Sequence, residues 1–598
     1  MTEPVSYGAQ LFRGRLRTDL LRLPAGDPRR LPAGEEAFLE RLRRYCAQDI
    51  DAEAIERDDR IPDEVIERLK DLGAMSIKLP TRWGGQGLSN LCYLRALMIV
   101  NSVHASLGEL LAAHQAIGLI QPLLLFGTPP QQDAFLPRCV RGISAFALTE
   151  PETGNGLERL RTTAVLDPAR GTYTLNGTKL WTTNGVIADL LVVMADVPAT
   201  ASTKGGTSVF VVDADAPGVG VEHRSTFLGL RGLENGVIRL RDVVVPADHR
   251  IGEEGQGLEV ALAAQDTGRL SLPAVSAASA KWSLRIAREW ACARLQQGHP
   301  IGRLEPVAAK VASIGATAFA LEAVVEVTAR NAERDVCDTR FDAELAKLFA
   351  AEHSWRIADE LLQLRGGRGY ETASSAAARG ERGVPVERHA RDVRIGRIFD
   401  GSTEALRHFL ADAVLLRRAE EGPAVRPDTA PEEAGAAPRT VLDDHRDRAL
   451  RAAERLASLT DRLHADPTAR RSRQRGLGRL VDIAAELYAV GASCAYAEAL
   501  RAHEPGSVRL ADVFCRQALQ RVEHLFARFD RNTDADDLAL AQEVFEAGHL
   551  WLEDGVIDTS LDGPWVAALP HDSSRPDLRR RVPRRTTAAH ERPGSPDG

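Results

Sequence analysis

Near the middle of the chain lies the stretch Arg391-Asp-Val-Arg-Ile-Gly-Arg-Ile-Phe-Asp-Gly-Ser-Thr-Glu-Ala-Leu-Arg407. Residues 393–399 supply apolar side chains that can be buried. Asp400-Gly401 then interrupts this pattern, and a new amphipathic helix begins at Ser402. Ser402 is a good N-cap, because its hydroxyl can accept a hydrogen bond from a free N–H of the first turn. The stretch therefore predicts a single carboxylate, that of Asp400, on a glycine-bordered bend at a helix N-terminus, facing a pocket.

The composition limits the classes of protein to which the chain can belong. Its 598 residues are too many for one hydrophobic core, and 44% are apolar, as in soluble globular proteins. A net charge of −8 gives no indication of a nucleic-acid partner. No apolar run approaches membrane-spanning length, and the N-terminus lacks the apolar block of a secretion signal. The seven cysteines are scattered, without the spacing of a metal site, which favours reduced thiols and a cytoplasmic protein.

Changes in composition and hydrophobic period divide the chain into seven segments. In order, they are an irregular leader (1–35), a helical domain (36–140), a β-barrel or sandwich (141–257), a four-helix bundle (258–418), a linker (419–440), an extra helical domain (441–570) and a disordered tail (571–598). The β-domain is predicted because short strands with a period of two follow one another between turn residues. The bundle is predicted from the length of its helical runs. The fold class is therefore α+β.

The stretch around Asp400 resembles the signature R-D-x-x-I-x-x-I-[FY]-E-G-[ST] of the acyl-CoA dehydrogenase family, and the domain order over residues 36–417 is similar to the family's order. The extra helical domain resembles, more weakly, that of the very-long-chain branch. The family has a catalytic Glu where this chain has Asp400, so the resemblance implies that Asp400 is the catalytic base. Some members carry the base instead at the position of Gly268, where this chain has no carboxylate. The structural alternative is that Asp400 only caps a helix.

Two segments resemble the strands that flank the flavin ring in this family. Leu148-Thr149-Glu-Pro and Trp181-Thr-Thr183-Asn-Gly are similar to its T-E-P and W-[IV]-T-N-G motifs, so the resemblance assigns Leu148, Thr149, Trp181 and Thr183 to FAD. Asn155 stands where the family has a phosphate-binding Ser and could also donate to phosphate. Each segment taken alone is explained by ordinary β-core and turn residues. Together, and spaced as in the family, they favour flavin.

Two further segments resemble the family's contacts to the rest of FAD. Arg294-Leu-Gln296 is similar to R-x-Q, whose Arg reaches the FAD pyrophosphate of a neighbouring subunit. Gln363-Leu-Arg-Gly366-Gly367 is similar to Q-x-x-G-G, whose glycines allow the adenosine half to approach the backbone. The resemblance therefore implies a shared cofactor site, and we expect a homodimer like the very-long-chain relatives.

Ser402 and Glu404 complete the set of cofactor-binding residues that the resemblance implies. Glu404 stands where the family has a flavin-contacting Gln, and it is better explained as a surface or adenosine contact than as a base.

The resemblance implies FAD-dependent α,β-dehydrogenation of an acyl-CoA thioester, with hydride transfer to flavin N5 and reoxidation by an electron-transfer flavoprotein. Such a reaction needs a base for the α-proton, here Asp400. Asp is shorter than Glu by about 1.5 Å of reach. A misplacement of about 1 Å can cost about 10²-fold in rate. Two alternatives therefore stay open: a biosynthetic desaturase or oxidase acting on a carrier-protein-bound or otherwise unusual acyl thioester, and a non-enzymatic flavin-binding scaffold.

Overall fold

The computed structural model describes residues 5–154, 160–334, 337–421, 439–466, 474–567 and 577–582. The N-terminal domain is helical, with α1 (Tyr7–Leu11), α2 (Ala33–Gln48), α3 (Ala52–Asp58), α4 (Asp63–Asp71), α5 (Asn90–Val103), α6 (Ala105–Ala112), α7 (Ile120–Phe126) and α8 (Pro129–Phe135). A π-helical turn, Ala113–Ile117, separates α6 from α7. Side chains cap two of these helices: Ser89 accepts from the Cys92 N–H at α5, and Thr128 with Gln131 forms a capping box at α8.

The central domain is a mixed sheet of β1 (Ser144–Ala147), β2 (Thr163–Asp167), β3 (Thr172–Thr182), β4 (Leu190–Val197), β5 (Gly206–Asp213), β6 (Val219–Arg224), β7 (Gly236–Pro246) and β8 (Arg250–Ile251). The strand order is β6-β7-β3-β2-β4-β5-β8, and β1 adds to β4 in parallel. Strand β3 pairs antiparallel with β7, and the register shifts between Lys179 and Thr182. The ladder is therefore interrupted at residues 180–181, where Trp181 lies.

The C-terminal domain is a bundle whose long helices are α9 (Gly257–Gly268), α10 (Ser271–Ala293), α11 (Glu305–Asn331), α12 (Arg340–Arg365) and α16 (Thr403–Glu421). Its shorter elements are α13 (Gly367–Tyr370), α14 (Ala373–Ala378), α15 (Val386–Arg394) and a hairpin of β9 (Leu295–Gln296) with β10 (His299–Pro300). Helix α10 packs against both α11 and α12. The predicted order of helical domain, β-domain and bundle is confirmed.

The extra domain contains α17 (Val441–Ala465), α18 (Gln474–Leu500), α19 (Ser507–Asp530) and α20 (Asp534–Phe545). Helix α18 is buried along most of its length and packs against α11, α17 and α19. The predicted linker is shorter than expected at both ends, because α16 continues to Glu421 and Thr440 caps α17. Residues 422–438 of that linker lie outside the described residues.

The predicted leader, residues 1–35, is packed against the rest of the chain over residues 5–35, with α1 and a 3-10 turn at Thr18–Leu21 between irregular stretches. Tyr7, Leu11 and Phe12 are buried, and the Asp342 carboxylate accepts from the Ser6 hydroxyl at 2.6 Å and from the Gly8 N–H at 2.7 Å. The Tyr7 ring packs on Tyr488 of α18 with centroids 5.6 Å apart. The leader therefore connects the bundle to the extra domain.

The predicted disordered tail contains an ordered segment, residues 577–582, while its other residues lie outside the described chain. The Leu578 N–H donates to the Val221 carbonyl at 2.9 Å, so the segment bonds to the edge strand β6. The Arg580 guanidinium forms ion pairs with Glu234 and Asp63. These contacts fix the segment on the β-domain.

Within the part of the chain that the structure describes, three helical stretches have the length and apolar composition needed to cross a membrane, contrary to the expectation from the sequence: Ala105–Phe126, Glu305–Asn331 and Gln474–Leu500. In the folded protein, 72%, 78% and 89% of the apolar 18-residue window of each stretch is buried. Their apolar side chains therefore pack mainly against other parts of the same chain.

Candidate functional site

The Asp400 side chain lies on the predicted bend between α15 and α16. Asp400 and Gly401 both have left-handed backbone conformations, with φ of 51° and 82°. The Ser402 hydroxyl accepts from the Ala405 N–H at 3.2 Å, which confirms the predicted N-cap, and α16 begins one residue later. A non-glycine residue rarely has positive φ, although Asp tolerates it better than most. The surrounding contacts must therefore hold Asp400 in place.

A buried lysine that the sequence analysis missed holds this bend. Lys347 Nζ donates to the Phe399 carbonyl at 3.1 Å and to the Gly401 carbonyl at 2.6 Å, so it bonds on both sides of Asp400. Its side chain is buried, and burial lowers the pKa of Lys347 to about 8. The only sequence signal is a cation inside an otherwise apolar stretch of α12. In a trans peptide the C=O and N–H point in opposite directions, so the Asp400 N–H points away from Lys347.

Two carboxyl groups interact electrostatically at this site. Burial raises the pKa of Asp400, while the nearby charges of Lys347 and Arg269 oppose that rise. Glu109, on α6, is partly buried, and burial together with the charge of Asp400 raises the pKa of Glu109 to about 8. A second negative charge is unfavourable there, so Glu109 keeps its proton at neutral pH. The sequence analysis also missed Glu109.

A cavity of about 80 Å³ lies beside the bend, with Phe399, Glu109 and Trp282 among its lining residues. His389 also lines it, and its Nε2 lies 2.9 Å from the Ser279 hydroxyl. The ring of His389 packs on Trp282 with centroids 4.7 Å apart. The wall therefore combines aromatic surface with hydrogen-bonding groups.

The Trp181–Thr183 turn leaves strand β3 with its aromatic ring facing outwards. Trp181 has a φ of 54°, and 57% of its surface is exposed. Asn235, another missed residue, donates from Nδ2 to the Trp181 carbonyl at 3.0 Å and to the Thr183 hydroxyl at 3.1 Å. The Asn184 side chain donates to the Leu110 carbonyl of α6 at 3.1 Å. The turn is thus fixed both to the sheet and to the helix that bears Glu109.

Leu148 and Thr149, which follow β1, are held by a buried ion pair. Lys179 Nζ lies 2.7 Å from the Glu150 carboxylate, and neither side chain is exposed. Lys179 also donates to the Leu148 carbonyl at 3.2 Å, while the Thr149 carbonyl accepts from the Leu180 N–H at 2.8 Å. The period of two already places Lys179 on the same face of β3 as the buried Leu175, which is a signal the sequence analysis did not use.

The other predicted cofactor residues lie at one end of the bundle. Arg294 and Gln296 are on the β9–β10 hairpin, whose turn residues Gln297 and Gly298 both have positive φ. The Trp290 indole donates to the Leu364 carbonyl at 3.1 Å, so the ends of α10 and α12 lie together. Gln363, Gly366 and Gly367, at the end of α12, are exposed.

The remaining predicted residues are less informative. Glu404 is exposed in the first turn of α16, as expected for a surface contact. Asn155 lies outside the described residues. At Gly268, an added Cβ would lie 2.7 Å from the Ile117 side chain, so this alternative base position is packed against the π-helical turn.

The turn around Trp181 has polar atoms that fit a planar heterocycle. Three of the buried side-chain oxygens without a hydrogen-bond partner belong to this turn and to the residue that bonds to it: Thr182 Oγ1, Asn184 Oδ1 and Asn235 Oδ1. An unsatisfied buried polar atom costs about 1–3 kcal/mol. The exposed Trp181 ring offers a surface for stacking beside these acceptors. An isoalloxazine ring, which is planar and has N–H and C=O groups along one edge, is consistent with this combination.

Three acyl-CoA dehydrogenase domain models match this chain: the N-terminal domain over residues 32–143, the middle domain over 145–243 and the C-terminal domain over 255–415. The chain is 45% identical to the probable acyl-CoA dehydrogenase FadE10 of Mycobacterium tuberculosis, over 96% of this chain and 94% of that protein. It is 32% identical to the mitochondrial very long-chain specific acyl-CoA dehydrogenase of Rattus norvegicus, over 68% and 62%. The structure of the acyl-CoA dehydrogenase from Bacillus anthracis complexed with FAD matches with a TM-score of 0.74 and 23% identity, over 87% and 91% of the two chains.

Proposed function

Because the chain belongs to the acyl-CoA dehydrogenase family, we propose that Asp400 removes the α-proton of an acyl-CoA thioester in an α,β-dehydrogenation. The protein is a flavin oxidoreductase of this type, and FAD is its expected cofactor. The bound isoalloxazine would accept the hydride from the β-carbon. Leu148, Thr149, Trp181 and Thr183 would hold that ring.

The observation that supports Asp400 as the base is its position on a clamped left-handed bend beside a cavity. Lys347 bonds to the carbonyls on both sides of Asp400, so the backbone that carries the carboxylate is held in position. Burial raises its pKa, which makes the carboxylate a stronger base than an exposed Asp. The shorter reach of Asp relative to Glu is then tolerable only if the thioester lies correspondingly closer to the bend.

The backbone N–H of Asp400 has a second role in this proposal. It points away from Lys347, and we infer that it donates to the thioester oxygen as negative charge develops there during α-proton removal. Protonation of Glu109 favours an ionised Asp400, because a neutral Glu109 adds no repulsion next to the base.

We further propose a cytoplasmic homodimer that is reoxidised by an electron-transfer flavoprotein. All seven cysteines are free thiols, which is consistent with a reducing compartment. The other predicted FAD contacts lie at the bundle end and not on the elements that form the Trp181 turn. They are Arg294, Gln296, Gln363, Gly366 and Gly367. In the dimer they would bind the pyrophosphate and adenosine of the partner's FAD.

The decisive experiment is anaerobic titration of the FAD-containing protein with acyl-CoAs of increasing chain length, monitored through the flavin absorbance. We expect bleaching in the native protein and in Asp400→Glu, and none in Asp400→Ala with unchanged FAD content. Asp444→Ala is the control, because this carboxylate is 67% exposed and lies on α17, outside the proposed site.

Absence of bleaching at every chain length, in protein that contains FAD, would refute acyl-CoA as the substrate. Bleaching only by acyl groups on a carrier protein, with peroxide formed in air, would support the oxidase alternative instead. No bleaching by either thioester class would support the scaffold alternative.

A further inference from the structure

Residues 534–567, which we name the C-terminal arm, are solvent-exposed along nearly their whole length. The arm consists of α20, a 3-10 turn at Leu550–Glu553 and a non-helical segment that ends at Ala567, and neither helical piece buries a residue. Its large exposed apolar side chains are Leu538, Leu540, Val544, Phe545, Leu550, Trp551, Leu552, Val556, Ile557, Leu561, Trp565 and Val566. Continuous apolar exposure on this scale marks an interaction surface.

The charge of the arm limits which surfaces can cover it. Residues 534–567 contain nine Asp and Glu and no Lys or Arg. Anionic lipid and nucleic acid both attract basic segments and repel acidic ones. The complementary surface is therefore basic and partly apolar, as protein surfaces can be.

The bundle end of this same chain, residues 285–304 and 365–382, has these properties. It contains eight Arg and three Glu, a net charge of 8 − 3 = +5. The side chains of Arg285, Arg288 and Arg382 are 67%, 64% and 65% exposed. Leu295 and Tyr370 add exposed apolar surface, at 56% and 82%. The bundle end thus combines the opposite charge with a similar apolar character.

The start of the arm is anchored to α18, and a later segment of the chain is anchored to the β-domain. At its start, Asp534 accepts two bonds from Arg479 of α18, at 2.6 and 2.7 Å. Asp482, one turn further along α18, lies 2.8 Å from Arg407 of α16, the helix that begins beside Asp400. Beyond the arm, the segment 577–582 bonds to the β-domain. The arm therefore starts on a helix that is tied to α16, and residues 577–582, later in the chain, lie on the β-domain.

We infer that the C-terminal arm of one copy lies on the bundle end of a second copy. This inference rests on the proposed function in one respect: it needs the homodimer in which the partner's bundle end reaches the FAD site of this chain. The arm has 34 residues. One side of a stable protein interface typically contributes about 20–30 residues. The arm is thus large enough to act as a clasp between the two copies.

The test uses the full-length protein and two independent readouts. A photo-crosslinking amino acid replaces Trp551 in one preparation, which is mixed and equilibrated with a ¹⁵N-labelled native preparation. We expect crosslinks between light and heavy chains that map to residues 285–304 or 365–382. Crosslinks confined to a single chain, or to other surfaces of the second copy, would overturn the inference.

The second readout is the dimer dissociation constant from analytical ultracentrifugation. Trp551→Asp combined with Trp565→Asp removes two large exposed rings from the arm, and we expect the constant to rise by about 100-fold or more. Arg285→Glu combined with Arg288→Glu should weaken the dimer from the other surface. Leu125→Asp is the matched control, because Leu125 is 54% exposed but lies on α7.

Other outcomes separate this inference from its alternatives. Dissociation constants of the arm variants within twofold of the native value would refute it. Binding of the native protein to phosphatidylglycerol vesicles, lost in the arm variants, would assign the arm to a membrane and also refute it. Flavin bleaching by acyl-CoA is measured on the same samples, so failure of the proposed dehydrogenation is recognised separately from failure of the clasp.

Discussion

Replacing Lys179 with Met is expected to lower the free energy of unfolding of the β-domain by about 3–5 kcal/mol, because it leaves the Glu150 carboxylate buried without its cation. The ammonium lies 2.7 Å from that carboxylate, and neither side chain has exposed surface. Met keeps the length and the apolar stem of Lys, so the variant removes mainly the charge and its hydrogen bonds. It also frees the Leu148 carbonyl, which accepts from Lys179 in the native protein.

The double variant Lys179→Met/Glu150→Gln separates the loss of the pair from the creation of an unpaired charge. With neither charge present, we expect a smaller loss of stability than the sum of the two single variants, with an interaction energy of about 2 kcal/mol or more. Urea denaturation followed by circular dichroism gives the stability. Hydrogen exchange at the Leu180 amide, which donates to the Thr149 carbonyl, reports local opening.

The pH dependence gives a further check on the same pair. The charge of Lys179 and hydrogen bonds to the Glu150 carboxylate lower the pKa of Glu150, against the effect of burial. The stabilisation that the ionised Glu150 contributes is therefore present above the ordinary Glu pKa of 4.5. It is lost as the pH falls through the lowered pKa of Glu150 in the folded state. The double variant should lack this acid-dependent loss. Additive single variants, or an unchanged Leu180 exchange rate in Lys179→Met, would refute the reasoning.

Three further predictions concern residues that the sequence analysis missed. Lys347→Met removes two charge-assisted bonds, each contributing about 1.5–3 kcal/mol, from the bend at Asp400. We expect at least tenfold slower bleaching at unchanged FAD content. The bleaching rate should also titrate at higher pH, because the cation that lowers the pKa of Asp400 is gone. Stopped-flow absorbance across pH measures both effects, and an unshifted pH profile would contradict the role of Lys347. Glu109→Gln should have a larger free energy of unfolding than the native protein. The difference should grow as the pH rises from 4.5 to about 8 and be constant above, since the raised pKa of Glu109 favours the folded state only while the group is protonated. Urea midpoints at pH 5 and pH 8 test this, and a constant margin would argue against burial of the carboxyl. Asn235→Ala loses the bonds to Trp181 and Thr183, so we expect the FAD dissociation constant to rise roughly tenfold. Fluorescence of released FAD measures this constant. Asn176→Ala is the control, because Asn176 lies in the middle of β3 and bonds to Asp242 instead of to the Trp181 turn.

The parts of the site that lie within one short segment were predictable from the sequence. The glycine-bordered bend at Asp400 and the N-cap at Ser402 follow from residue types whose effects act over a few positions. The period of two in residues 141–257 and the helical periods on both sides gave the fold class, because periodicity reflects which face of an element is buried. The resemblance to the acyl-CoA dehydrogenase family then supplied the expected cofactor and the part of it that each motif is expected to contact.

The contacts that hold those segments in place were decided only by the tertiary structure. Lys347 lies on α12, Asn235 before β7 and Glu109 on α6, and each acts on a segment far away in sequence. A periodic pattern indicates that a position is buried, yet it does not identify the group that will lie opposite. Packing therefore decided that an apparently irregular leader is a buried connection and that the C-terminal arm leaves the body of its own chain, because both outcomes depend on which surfaces meet.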